Sequence, residues 1–261
     1  MAIAAEFANL LVEPGVSARI TLNRPEKRNA LSLELMEELI RALDSVSAEP
    51  ETRTIVIEGA GPAFSAGHDL GEMVGRDLAF YQQLFESCTV LMESIHRVTQ
   101  PVIAKVHGIA TAAGCQLVAA CDLAVATDTA RFATPGVKIG LFCSTPMVPL
   151  SRAIGRKRAL QMLLTGELVD AQRALDWGLV NLVVPEDALE DAVAALADKV
   201  ASSSPLTVAI GKEAFYAQLE LYEHGAYDLT RSVMATNAMA ADAQEGMCAF
   251  LEKRPPEWTG R

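Results

Sequence analysis

Two short segments carry the residues best suited to chemistry: Phe64-Ser65-Ala66-Gly67-His68-Asp69 and Thr111-Ala112-Ala113-Gly114-Cys115-Gln116. Each follows a β-like run and places small residues where a backbone must approach something closely. Two such turns facing each other offer a pair of N–H groups, those of Ala66 and Ala113, to a single oxygen. That arrangement stabilises an oxyanion or an enolate, and removing one donor typically costs about 3 kcal/mol of transition-state stabilisation. The second segment opens a helix, whose N-terminus supplies unsatisfied N–H groups and the positive end of a dipole. Plainer readings stand beside these. Gly67 and Asp69 also suit an ordinary strand-to-helix turn with a cap, and Ala113-Gly114 also suits tight helix–sheet packing.

A third segment runs from Phe132 to Thr145 and contains Pro135, Gly136, Gly140, Cys143 and Ser144. Two glycines, a proline and three consecutive hydrogen-bonding side chains read either as a loop over a pocket or as a plain connection. Basic residues cluster at Arg24, Lys27 and Arg28 and again at Lys253 and Arg254. Both clusters fit solvated surface charge as well as phosphate contact. His96 and His107 sit at a helix end and a strand end and read as structural. Cys88, Cys121 and Cys248 read as core fillers.

The elements that position these residues follow from periodicity. Ala18 to Leu22 alternates as a strand, and Asn23-Arg24-Pro25 ends it. Ser32 caps a helix with its apolar face at Met36, Leu39, Ile40 and Leu43. Thr54–Glu58 is a strand, Leu78–Val98 a long helix, Pro101–Val106 a strand, Gly114–Ala120 a short buried helix and Asp122–Thr127 another strand. Residues 15–145 thus alternate strand and helix, as in an α/β core with crossover connections. Beyond Ser151 the chain reads as mostly helical: 155–164, 170–177 between the Asp170 cap and Gly178, 187–201, 205–222 and 225–251, with one short strand at Leu182–Val184. The division expected is a core domain over 1–195 and a helical oligomerisation region over 196–261.

The 261 residues carry a net charge of -11, which opposes generic binding to nucleic acid or anionic membrane. The most apolar stretch, Val102 to Ala126, is interrupted by Lys105, His107, Gln116 and Asp122, so no membrane span is expected. Five cysteines without a C-x-x-C pair read as reduced thiols of a cytoplasmic protein, and four histidines without ligand spacing give no zinc site. An acidic Glu6 and no basic stretch at the start argue against a signal segment.

Taken together the segments resemble the enoyl-CoA hydratase/isomerase (crotonase) superfamily over about residues 15–255. The markers are Asn23-Arg24-Pro25, Asn29-Ala30-Leu31, Phe64 to Leu70, Pro101-Val102-Ile103-Ala104, Ala113-Gly114-Cys115, Cys121-Asp122, Leu164-Thr165-Gly166, Gly178-Leu179-Val180 and Glu245-Gly246-Met247 with Phe250 to Arg254. Ser-x-Gly-His-Asp-Leu, Ala-Ala-Gly-Cys-Gln and Gly-Leu-Phe-Cys-Ser-Thr-Pro look most like the enoyl-CoA hydratase domain-containing protein 3 type. The resemblance implies an α/β fold, a spiral of ββα turns whose C-terminal helices build a homotrimer or a dimer of trimers. It implies an acyl-CoA thioester partner and no cofactor beyond the CoA moiety itself. It also implies an oxyanion hole from Ala66 and Ala113, with CoA contacts along Ala66, Gly67, His68, Asp69 and Leu70. Arg28, with Ala30 nearby, would approach the nucleotide, and Phe250 and Lys253 would reach the CoA of an adjacent subunit.

The chain also departs from that pattern. A two-glutamate hydratase carries one carboxylate where Gln116 stands and another where Gly136 stands. Gln116 orients a water but exchanges no proton at neutral pH, and Gly136 has no side chain. General acid–base groups contribute roughly 10²–10⁴ each, so ordinary hydration requires substitutes. The candidates are Gln116 with a water, then Cys143 or Ser144, then His68; a bound anion near Gly136 is a further possibility. A non-catalytic acyl-CoA-binding protein is the competing expectation. Glutamate at both positions is expected to restore hydration if only the carboxylates are lacking.

Overall fold

The computed structural model describes residues 7–261, so Glu6 lies outside the described residues. Strand β1 (Leu10–Glu13) pairs antiparallel with β2 (Ser17–Leu22), and helix α1 (Leu33–Ser47) follows, its first turn capped by the Ser32 hydroxyl, which accepts from Leu35 N–H at 3.2 Å. Next come β3 (Thr54–Gly59), the single-turn α2 (Leu70–Met73) and the long α3 (Leu78–Arg97). The next two turns of the chain repeat one device. β4 (Val102–Val106) leads at a sharp corner into β5 (Ile109–Thr111) and α4 (Ala113–Ala120); β6 (Leu123–Thr127) leads into β7 (Arg131–Ala133). Helices α5 (Met147–Ile154) and α6 (Arg156–Thr165) follow, then β8 (Val169–Asp170), α7 (Ala171–Trp177) and β9 (Leu182–Val184).

Successive strands of one turn enter different sheets. β1-β2-β3-β4-β6-β9 form a six-stranded sheet, parallel except for β1, and β5-β7-β8 form a smaller one. This is the spiral of ββα turns. The corner between β4 and β5 requires Gly108, whose φ is +61° and where a Cβ would stand 2.3 Å from the Pro62 carbonyl oxygen. The large sheet is covered on both faces, as its continuous β-branched strands require. Ile55, Ile57 and Ala104 face the main core with α1 and α3, while Val56, Ile103 and Val125 face Leu189, Val193 and Ala197 of α8 (Leu189–Ala201).

The chain ends in α9 (Pro205–Leu219), α10 (Glu223–Ala238) and α11 (Ala241–Glu252). Buried Lys212 pins α9 to the core, donating to the Ile95 and Gln100 carbonyls and to Asp122 at 2.7–2.8 Å. No residue of α10 is buried. The helical stretch over 225–251 is interrupted once, where Ala240 turns extended (φ -64°, ψ 146°) ahead of a new helix. One expectation is corrected here. Cys248 is exposed on α11, not a core filler; Cys88 and Cys121 are buried. The short strands β1, β5, β7 and β8 had no alternation long enough to announce them. Among the described residues no single helix is long and apolar enough to cross a membrane.

Candidate active site

Segment 64–69 is stitched between two neighbours by its own backbone. On one side Ala66 N–H donates to the Arg28 carbonyl (2.9 Å), Leu31 N–H to the Gly67 carbonyl (2.7 Å) and Asp69 N–H to the Leu31 carbonyl (3.1 Å). On the other, Ser65 N–H donates to Ile109 and Thr111 N–H to Ser65. The buried Ser65 hydroxyl donates to the Asn29 carbonyl at 2.8 Å and accepts from Gly67 N–H at 3.3 Å. Asn29 in turn donates to the Ala60 and Ala63 carbonyls. One amide of the segment is left over: His68 N–H meets no acceptor among the described residues.

Opposite it, Ala112 turns the chain from β5 into α4 with φ +50°, a strained value for a residue with a Cβ. Its own N–H is held by the Ala133 carbonyl at 2.9 Å, and Gln116 N–H makes the first intrahelical bond. The Ala113 N–H therefore has no acceptor among the described residues, as the physics of a helix start dictates. The two turns approach more closely than side chains would permit. A Cβ on Gly67 (φ +92°) would lie 2.7 Å from Ala112 Cβ and 3.2 Å from Ala113 N, and one on Gly114 would lie 2.4 Å from the Ser65 carbonyl oxygen.

The sequence expectation of an Ala66–Ala113 pair is thus corrected. The Ala66 N–H is already bonded to Arg28, and the amide of the segment without an acceptor among the described residues is two residues on, at His68, which lines the same cavity as Ala113. Which of several consecutive amides a neighbouring loop will claim is a tertiary fact with no signature in a single sequence.

Both turns open on a cavity of about 500 Å³ whose walls include Ala66, His68, Leu70, Met73, Phe85 and Ala112–Ala113, with the segment 135–146 as its other side. None of the lining side chains is a carboxylate. Segment 135–146 folds tightly on itself: Leu141 N–H donates to the Gly136 carbonyl at 3.0 Å. A Cβ on Gly136 would stand 2.0 Å from the Leu141 carbonyl oxygen and 2.8 Å from Cys143 Sγ. Gly136 is therefore required by the loop itself, which corrects the expectation that a glutamate there would simply refill a missing position.

Cys143 and Ser144 reach the cavity wall. Burial pushes the Cys143 thiol up, against a smaller opposing effect of the Gly136 backbone, so it stays protonated at neutral pH. The Ser144 hydroxyl makes only a long 3.4 Å contact to the Phe142 carbonyl. Gln116 is not brought to this cavity. It is buried, its Oε1 accepts from Cys88 Sγ at 3.7 Å, and it lines a second cavity of about 720 Å³ that also contains His96, Asp122 and Tyr216. Thr145 is the one residue common to the walls of both.

His68 also contributes its ring to the wall. The imidazole stands edge-on to Phe85 with centroids 5.6 Å apart, and neither nitrogen has a hydrogen-bond partner among the described residues. Burial pushes its pKa down to about 4; the nearby Leu31 backbone opposes this slightly without meeting hydrogen-bond geometry. Asp69 is occupied as a cap, accepting from Gly71 N–H (3.1 Å) and from Arg24 (3.0 Å). Burial alone would raise its carboxyl, but those bonds and the charges of Lys27 and Arg24 hold it below the usual range. Leu70 is half-exposed at the rim, Ala30 is buried with its carbonyl accepting from Arg24, and the Arg28 side chain is exposed. Phe250 and Lys253 lie at the end of α11, outside the cavity wall. Met73, Ile139 and Phe142, which complete the apolar lining, carried no sequence signal beyond hydrophobicity.

Comparison with known proteins adds the following. The model of the Enoyl-CoA hydratase/isomerase family matches residues 13–261. The enoyl-CoA hydratase domain-containing protein 3, mitochondrial, of Danio rerio is 47% identical over 96% of this chain and 87% of its own length, and that of Homo sapiens is 48% identical over 92% and 80%. A crystal structure of an enoyl-CoA hydratase from Mycobacterium smegmatis superposes with a TM-score of 0.94 at 49% identity, covering 96% of this chain and 98% of that one. The expected cytoplasmic location is overturned, because these vertebrate relatives are named mitochondrial. Reduced thiols, on which it rested, mark a reducing compartment without saying which one.

Proposed function

The chain belongs to the enoyl-CoA hydratase/isomerase family, and on that premise we propose that it binds an acyl-CoA thioester with the thioester carbonyl between the His68 and Ala113 amides. The observation that carries this reading is that these two N–H groups have no acceptor among the described residues and belong to residues lining one apolar cavity. Donors fixed in place by the fold stabilise charge on that oxygen as an enolate forms, without reorganising at the moment of reaction. The thioester acidifies its own α-proton, so the reading needs no group beyond the CoA of the substrate.

The proton chemistry differs from that of a two-glutamate hydratase. The cavity wall holds no carboxylate, Gln116 faces elsewhere and Cys143 is a protonated thiol. A solvent or anion base admitted to the cavity itself is the route these residues leave open. The decisive experiment is exchange of the α-proton of butyryl-CoA in deuterated water, followed by mass spectrometry. It reads enolate formation without requiring hydration. Exchange above the uncatalysed rate supports the enzyme; tight CoA-ester binding with no exchange assigns the chain to the second reading, a non-catalytic acyl-CoA-binding protein, which the same absence of carboxylates favours. Dependence of the rate on bicarbonate would identify a bound anion as the base. The exposed apolar residues of α10, α11 and the turn before them, Tyr222, Tyr227, Met234, Met239, Phe250 and Leu251, support assembly of the chain as a homotrimer.

A further inference from the structure

Resting on the acyl-CoA reading above, we propose that Ser65 is a positioning residue of the amide pair: its buried hydroxyl holds Gly67 in place, and through Gly67 it sets the direction in which the His68 N–H meets the thioester oxygen.

Ser65 is fully buried and lies outside the cavity wall. A hydroxyl in such a place carries a desolvation cost that an alanine of nearly the same size avoids, unless its hydrogen bonds are needed. Those bonds reach two different segments. The hydroxyl donates to the Asn29 carbonyl at 2.8 Å and accepts from the Gly67 N–H at 3.3 Å. Asn29 is a firm anchor. Its backbone sits at φ +53°, its N–H donates to the Arg24 carbonyl and its Oδ1 accepts from the Arg24 N–H, each at 2.9 Å. Its Nδ2 donates to the Ala60 and Ala63 carbonyls. A left-handed backbone at a residue with a side chain persists only where its surroundings over-determine it, and every polar group of Asn29 is bonded.

The anchor matters because of the residue it reaches. Glycine takes either sign of φ with similar ease, so nothing in its own backbone keeps Gly67 at +92°. Its two flanking peptides are held from outside instead. The Ala66–Gly67 peptide is fixed at both ends, by the Thr111 hydroxyl on the Ala66 carbonyl (3.0 Å) and by the Ser65 hydroxyl on the Gly67 N–H. The Gly67–His68 peptide is fixed at its carbonyl alone, which accepts from the Leu31 N–H at 2.7 Å. In a planar trans peptide the N–H points opposite to the carbonyl, so the His68 N–H is aimed away from Leu31. Deleting the Ser65 hydroxyl strips the buried Gly67 N–H and the buried Asn29 carbonyl of their partner together. The softest torsions nearby are those of Gly67, and rotation there turns the His68 N–H with it.

The test is infrared spectroscopy of butyryl-CoA, isotope-labelled at its thioester carbonyl, bound to the full chain and to Ser65→Ala, Ser65→Cys and Ser94→Ala, with thermal melts to confirm folding. Ser94 is the control, a fully buried hydroxyl bonded within its own helix to the Val90 carbonyl at 2.8 Å. The carbonyl band reads polarisation by the amides whether or not the chain turns the ester over. The native chain is expected to lower the carbonyl stretch relative to the free ester. Ser65→Ala loses most of that lowering and slows α-proton exchange by about tenfold, short of the roughly 10²–10³ for outright loss of a donor. Ser65→Cys, whose thiol is a weak donor and acceptor, falls between, and carries the comparison should Ser65→Ala fail to fold. Ser94→Ala matches the native chain, and CoA alone binds every chain equally. A native band and native exchange in folded Ser65→Ala overturn this proposal alone, as does an equal change in Ser94→Ala or a parallel loss of CoA affinity in Ser65→Ala. A native chain that does not bind the ester, or binds it without lowering the stretch, overturns the amide-pair reading and this proposal with it.

Discussion

Gly136 and Leu141 occupy each other's space: the Leu141 N–H donates to the Gly136 carbonyl at 3.0 Å, and the Leu141 carbonyl oxygen sits 2.0 Å from where a Gly136 Cβ would be. The segment that closes one side of the cavity has therefore adapted to the lack of a side chain at 136. The Gln116→Glu/Gly136→Glu double variant is expected to gain no crotonyl-CoA hydration. It should also unfold more readily by about 3 kcal/mol or more, since overpacking against backbone has no flexible group to move aside. Hydration assayed by loss of the enoyl absorbance, beside a urea melt, checks both. Recovered hydratase activity in a stable double variant would sink the account of this loop.

His68 sets a pH dependence of stability. Burial pushes its pKa down to about 4 in the folded chain from the ordinary 6.5 of a solvated imidazole, so between those values the unfolded chain binds the additional proton. Stability is then complete above about pH 6.5 and falls as the pH drops toward 4, by up to roughly 3 kcal/mol at about 1.4 kcal/mol per unit. Urea unfolding of the native chain and of His68→Leu over that window isolates the term from the carboxylates, which both share. The native chain should lose stability faster on acidification, and His68→Leu should be the more stable of the two at pH 5. Parallel curves would mean that the ring is not buried neutral.

Lys212 and Asp122 hold the C-terminal helices to the core. The 2.7 Å ion pair is largely buried, and Asp122 also accepts from Val102 N–H (2.6 Å) and the Tyr216 hydroxyl (2.7 Å). Removing the cation leaves a buried carboxylate with neutral donors only, a loss of about 3–5 kcal/mol. Lys212→Met is expected to show that loss, and Lys212→Met/Asp122→Asn to cost less than the sum of the single changes. Chemical denaturation of the four chains gives the coupling directly; additivity would contradict it.

Phe250 and Tyr222 are 83% and 96% exposed in a single chain, more than an unassembled surface would be expected to leave to aromatic rings. Light scattering should give the mass of three chains or a multiple of three for the native protein and a lower mass for Phe250→Asp/Leu251→Asp. A native monomer at micromolar concentration contradicts the trimer.

Much of this architecture was legible in the residues. The Ser32 and Asp170 caps, the long helix at 78–97 and the strands at 54–59, 102–106 and 123–127 stand where period and capping chemistry put them. At the start of α6, Arg158 donates to the Trp177 carbonyl at 3.2 Å, at the end of α7 where a cation is favoured. What the sequence withheld were facts set by distant neighbours: that Arg28 takes the Ala66 amide, that Leu141 fills the space beside Gly136, and that Gln116 turns to Cys88 and a separate cavity. Local pattern determines which elements form; it does not say which of two adjacent polar groups a loop from elsewhere will claim.

The spacing of the two amides is open to a direct perturbation at Gly67. An alanine there meets Ala112 Cβ at 2.7 Å and the Thr111 carbonyl oxygen at 2.8 Å, at a φ of +92° that side chains rarely adopt. Relief of that contact has to separate segment 64–69 from the start of α4, and so has to widen the gap between His68 N–H and Ala113 N–H. The chain keeps the Ser65–Thr111 and Leu31–Gly67 backbone bonds on either side of the lesion, so a folded protein with a distorted amide pair is the expected product. Losing alignment of one donor costs a factor of roughly 10²–10³ in turnover. Gly67→Ala should therefore lower α-proton exchange of butyryl-CoA by about that factor while CoA itself, which has no thioester carbonyl, binds as before. An equal loss of CoA binding and exchange would place the effect in the nucleotide contacts instead. Unchanged exchange in a folded Gly67→Ala chain would remove the amide pair from the mechanism.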